Sequence, residues 1–101
     1  MIAFRDLPIA EFASIVDAET QLIDVRQPTE VADGTLPGAV NIPLDRLVER
    51  VRELDPARRT VVFCRSGGRS TQAAQFLASA GFDDVFNLAG GMLALPQGVA
   101  R

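Results

Sequence analysis

The sequence of 101 residues has no histidine, lysine, tyrosine or tryptophan, one cysteine, and ten basic residues that are all arginine. Without histidine the commonest general base is missing, and with it any histidine-containing metal site. One cysteine can neither close an intramolecular disulfide nor build a multi-cysteine zinc site. No metal and no cofactor are therefore expected, and a reducing compartment suits the thiol. No apolar run approaches the roughly 20 residues of a membrane span, and the opening MIAFRDLPIAEF lacks the apolar core of a signal peptide. The chain reads as cytoplasmic, with no membrane partner. An excess of positive charge is missing too: thirteen acidic residues against ten basic give a net charge of -3, which argues against a nucleic-acid partner. Chemistry is left to Cys, Asp, Glu, Ser, Thr, Arg and the backbone.

What is present is a globular composition, 48% hydrophobic with only eight glycines and six prolines. At this length it supports one domain, residues 1–101. Pro8 opens a helix to about Ala18 that sets Ile9, Phe12, Ala13 and Val16 on one face. Leu22 to Val25 reads as a buried strand, Pro28 starts a helical turn closed by Gly34, and Ala39 to Ile42 fits a short strand between prolines. Asp45 is a candidate N-cap for a helix carrying Leu47, Val48, Val51 and Leu54 inward, stopped at Asp55 and Pro56. TVVF, Thr60 to Phe63, is a β-branched strand. A helix from Ser70 to Ala80 follows, with Ala73, Ala74, Phe76 and Leu77 on its inner side and Gly81 beyond its end. Val85 to Asn87 is a last strand, and GGMLAL begins a terminal helix or turn that fades into QGVAR. Alternating strands and helices predict an α/β domain, doubly wound, with a mainly parallel central sheet and helices on both faces.

In such sheets ligands sit at the carboxyl ends of the strands. Cys64 directly follows TVVF, and CRSGGRS joins that strand to the next helix with a thiol, two guanidiniums, two hydroxyls and two adjacent glycines. Glycine lets successive N–H groups turn inward, and the helix N-terminus adds positive potential, so the loop forms an anion cradle that also stabilises a thiolate. A thiol so placed ionises well below its free value and needs no histidine. Plainer readings stand beside this one. Cys64 could be a buried structural cysteine, Arg65 and Arg69 solvated loop residues, Ser66 a turn residue and Ser70 an N-cap.

The succession LIDVRQPTE, GTLPGAVNIP, VVFCRSGGRS with TQAAQFLASAGF, and VFNLAGGM resembles a rhodanese homology domain over nearly the whole chain. The resemblance implies that the Cys64 thiolate attacks the sulfane sulfur of thiosulfate or a related small-molecule donor, releases sulfite, and passes the sulfur to cyanide or a thiol. Within it, Arg65, Ser66, Gly67, Gly68, Arg69 and Ser70 hold the substrate, with Arg69 the more important guanidinium. Asp24 and Arg26 take the family's strand-end acid and base as a supporting ion pair, a surface pair being the alternative. Two positions depart from the family: Thr35 and Leu36 stand where a histidine is frequent, and Leu95 where an aromatic is. They bear on the pocket and on helix packing rather than on the nucleophile. Phosphatases and arsenate reductases of related fold separate cysteine from arginine by five residues, whereas here four lie between Cys64 and Arg69. The remaining alternatives are a persulfide relay to a protein acceptor and a non-enzymatic binding module.

Overall fold

The computed structural model describes residues 3–95. Five strands, β1 (Arg5–Leu7), β2 (Gln21–Asp24), β3 (Val40–Asn41), β4 (Thr60–Phe63) and β5 (Val85–Leu88), form one sheet in the order β1-β5-β4-β2-β3. Every pairing is parallel, with Asp24 opposite Phe63 and Val62 opposite Asn87. The α/β doubly wound reading is thus correct. TVVF lies at the centre, buried on both sides, which is why its run is continuously apolar rather than alternating.

Strand periodicity splits the core in two. Val62 and Cys64 face one cluster with Ile23, Val25, Ile42, Leu47, Ala73, Ala74 and Leu77. Val61 and Phe63 face the other, with Leu7, Leu22, Leu36, Phe86 and Leu88. The first face is covered by α4 (Gly68–Ser79) and by α3 (Leu47–Arg50) with flanking 3-10 turns; the second by a 3-10 turn, Ile9–Glu11, running into α1 (Phe12–Ile15), and by the 3-10 turn Gly91–Ala94. The remaining helix, α2 (Pro28–Val31), has Pro28 in its first turn and a Gln27–Glu30 capping box.

Several expectations are corrected. β1 was not expected from its polar Arg-Asp-Leu sequence; it forms because it completes the edge beside β5, where the Arg5 guanidinium lies 4.4 Å from the Phe86 ring centre and bonds Asp84. The first helix ends at Ile15 rather than near Ala18, because Asp17 accepts from the Glu19 amide and the Thr20 hydroxyl and makes a competing turn. Ala13 is exposed and Ile15 packs inward in its place. Asp45 caps nothing: its carboxylate accepts from the Gln27 amide. Val48 is 70% exposed, since the short α3 turns between two 3-10 segments and does not keep one straight apolar face. α4 begins at Gly68 with Gly67 before it, so Ser70 is not the N-cap. QGVAR lies outside the described residues. No helix of the described residues is long and apolar enough to cross a membrane.

Candidate active site

The peptide following β4 turns into α4 within four residues, which only a glycine at Gly67 permits comfortably: its φ is +110°. That turn aims donors at one atom. Cys64 Sγ accepts from the Gly67 amide at 3.1 Å and the Ser70 amide at 3.4 Å, and lies 3.4 Å from the Ser70 hydroxyl. Both Cys64 and Ser70 are buried. Burial pushes the thiol's pKa up, yet the Ser70 hydroxyl and the amides of Ser70, Gly67 and Ser66 together outweigh it and hold the pKa below its ordinary value. The plain structural-cysteine reading supplies no reason for such a set of donors converging on sulfur.

A second segment clamps the loop from outside. The Met92 amide donates to the Cys64 carbonyl at 2.9 Å and the Leu93 amide to the Arg65 carbonyl at 3.0 Å. Gly91 lies under both carbonyls at φ +58°, and a Cβ there would come within 2.4 Å of the Cys64 oxygen and 2.7 Å of the Arg65 oxygen. GGMLAL does begin a turn, the 3-10 segment Gly91–Ala94, and its adjacent glycines after the last strand are the sequence signal for the close approach of two backbones.

The two loop arginines are placed differently. Arg69 is engaged by a residue not singled out in the sequence: it donates to both carboxylate oxygens of Glu30, at 2.6 and 2.9 Å. This bond from Arg69 holds the Glu30 carboxyl at about 2. Arg65 is exposed at the rim of an open cleft of about 400 Å³, with Arg26, Glu30, Asp33, Met92 and Leu93 around it. Ser66 and Gly68 are exposed on the loop's outer turn. Asp24 and Arg26 form a buried pair, not a surface one. Arg26 reaches both Asp24 oxygens, the shortest contact being 2.8 Å, and also donates to the Gly34 carbonyl at 2.6 Å. Among the described residues no three thiol or carboxylate groups converge to hold a metal.

The family model of the rhodanese-like domain matches residues 9–95. This chain belongs to the rhodanese-like family. A protein named thiosulfate sulfurtransferase GlpE from Shewanella oneidensis is 34% identical, over 93% of this chain and 94% of its own length. A sulfurtransferase from Allochromatium vinosum is 41% identical over 72% of this chain and 68% of its own. The crystal structure of a rhodanese-related protein from Thermoplasma volcanium superposes with a TM-score of 0.86 at 26% identity, covering 97% of this chain and 98% of that one. In some longer proteins the match is to one part only: the chain spans 27% of a chloroplastic rhodanese-like/PpiC domain-containing protein of Arabidopsis thaliana.

The two departures from the rhodanese-like pattern have local explanations. Thr35, in the stretch where a histidine is frequent, donates its hydroxyl to the buried Asp24 carboxylate at 2.7 Å, completing with Arg26 the satisfaction of a charge that would otherwise be costly to bury. Leu95 packs, partly buried, on the cluster containing Phe63 and Leu88. The rhodanese-like loop thus offers a sulfur nucleophile with amide and hydroxyl donors around it. Its floor is fixed by the Gly91 clamp, and its walls carry paired charges.

Proposed function

We propose that this protein is a sulfurtransferase that carries sulfane sulfur as a persulfide on Cys64. The Cys64 thiolate attacks the outer sulfur of thiosulfate or a related donor; the new Sγ–S bond forms as the donor's S–S bond breaks, and the electron pair leaves with sulfite. The terminal sulfur of the persulfide is then taken by cyanide or a thiol, which regenerates the thiolate. The observation carrying this reading is the set of donors on Cys64 Sγ, from Gly67 and Ser70, at the start of the 12-residue helix α4. These groups stabilise the attacking thiolate without a proton-transfer base.

In this reading the loop from Arg65 through Ser66, Gly67, Gly68 and Arg69 to Ser70 holds the donor's anionic end and the persulfide, while Asp24 and Arg26 brace the strand end beside it. The chain acts as a single domain in a reducing compartment, the cytoplasm. A protein thiol is a second acceptor class, supported by Leu93, which is 64% exposed beside Arg65 at the cleft rim and offers apolar surface to a larger partner. Initial rates with donor and acceptor varied together test the scheme. A double displacement gives parallel reciprocal plots, and intersecting plots would require a ternary complex and reject it.

A further inference from the structure

The charges around the cleft cancel. Arg26 is paired with Asp24 and Arg69 with Glu30, and Asp33 and Arg65 both line the cleft. Three guanidiniums and three carboxylates thus line the cleft or pair with groups that do, and ionised Cys64 adds one further negative charge. Thiosulfate is a dianion. It gains little from a neutral surrounding, and it must approach a sulfur that is itself negative. The cancellation depends most on Glu30, because its bidentate contact occupies the Arg69 guanidinium, the one positive group on the first turn of α4. Met92 and the exposed Leu93 give the same cleft an apolar side. An inorganic dianion has no use for that side, but the carbon part of an organic sulfur donor has.

Resting on the sulfurtransfer reading above, we propose that Glu30 is a specificity-determining residue that neutralises Arg69 and so tunes the site to organic sulfane-sulfur donors of single charge, persulfides and thiosulfonates, over thiosulfate. The chemistry is unchanged. Cys64 Sγ bonds the donor's terminal sulfur, the donor's S–S bond breaks, and the electron pair leaves on an organic thiolate or sulfinate, so the Cys64 persulfide forms without oxidant or reductant.

Methanethiosulfonate and thiosulfate make a matched pair of probes, since a methyl group in the first replaces one charged oxygen of the second. The quantity to measure is the ratio of kcat/KM for the two donors, with cyanide as acceptor, in the wild-type chain and in Glu30→Gln, at low and high salt. The wild type should favour methanethiosulfonate. Glu30→Gln should shift the ratio toward thiosulfate by roughly three- to tenfold at low salt, and the shift should shrink as salt screens the freed charge. Any preference for the methyl group itself is common to both proteins and cancels in the comparison.

A Glu30 that served only as a strut would, when replaced, slow both donors together and leave the ratio fixed, and that result would overturn the proposal. Asp33→Asn is the second variant, on an exposed residue where misfolding is not at issue. It should move the ratio the same way by about twofold, and an unmoved ratio in both variants rejects the inference. The two readings fail differently. If neither donor adds a sulfur atom to wild-type Cys64 the sulfurtransfer reading itself falls, whereas loading by both with a ratio indifferent to Glu30 removes only the specificity claim.

Discussion

Replacing Ser70 by alanine removes one of the donors on Cys64 Sγ and little else. The Gly67 carbonyl, which the serine hydroxyl also approaches at 3.2 Å, keeps the Thr71 amide at 3.0 Å and the Thr71 hydroxyl at 2.7 Å. A hydrogen bond to a charged group contributes about 1.5–3 kcal/mol, and a 3.4 Å contact shared between two acceptors belongs at the lower end. About 1.4 kcal/mol is a factor of ten in an equilibrium, so below the thiol's titration the thiolate fraction should fall roughly tenfold. A more basic thiolate is also more nucleophilic, with a Brønsted slope of about 0.4–0.5, which returns roughly threefold of that loss. The pH profile of alkylation by a neutral reagent should therefore cross. Ser70→Ala should react about threefold slower than wild type at low pH and about threefold faster once both are fully ionised. Coincident profiles would show that the hydroxyl does not stabilise the thiolate. Uniform slowing at every pH would point to lost access instead, and either result refutes the reasoning.

Three other outcomes follow from the same geometry. Gly91→Ala places a Cβ within 2.4 Å of the Cys64 carbonyl at a positive φ, so it should destabilise the fold by at least about 2 kcal/mol in urea unfolding and slow persulfide formation as the loop shifts. Thr35→Val leaves the buried Asp24 carboxylate one donor short and should cost about 2 kcal/mol, read as a lower urea midpoint with an unchanged slope. The Glu30 carboxyl is held at about 2 against an ordinary value of 4.5. A depressed carboxylate stabilises the fold above its unfolded pKa and loses that contribution as pH falls. Thermal stability should then drop between pH 4.5 and 2, and Glu30→Gln should flatten the drop across that window.

The parts of this molecule legible in the sequence are those fixed by local chemistry. TVVF is β-branched, apolar and bounded, so its place in the sheet and the position of Cys64 at its end followed directly. The glycines of CRSGGRS likewise announce a turn that other residues resist. What the sequence concealed is set by partners far along the chain. Nothing local to CRSGGRS announces that Arg69 is engaged by Glu30, 39 residues away. Asp24 and Arg26 look equally like a surface pair until Thr35 and the Gly34 carbonyl close around them. Ser70 is a strong N-cap residue by type, but the left-handed Gly67 starts the helix earlier and leaves the serine hydroxyl for sulfur. β1 was invisible because two charged residues and a single leucine carry no periodicity, and only the open edge of β5 makes them a strand.

The central claim is a covalent one, that sulfur rests on Cys64 between two half-reactions, and intact-protein mass spectrometry tests it most directly. The wild-type chain incubated with thiosulfate or methanethiosulfonate and freed of excess donor should gain the mass of one sulfur atom. Peptide mapping should place that gain on Cys64, and cyanide should remove it with release of thiocyanate. Cys64→Ser should gain nothing. A wild-type chain that never takes up the sulfur atom from either donor, or a Cys64→Ser chain that still turns over donor and acceptor, would contradict the account.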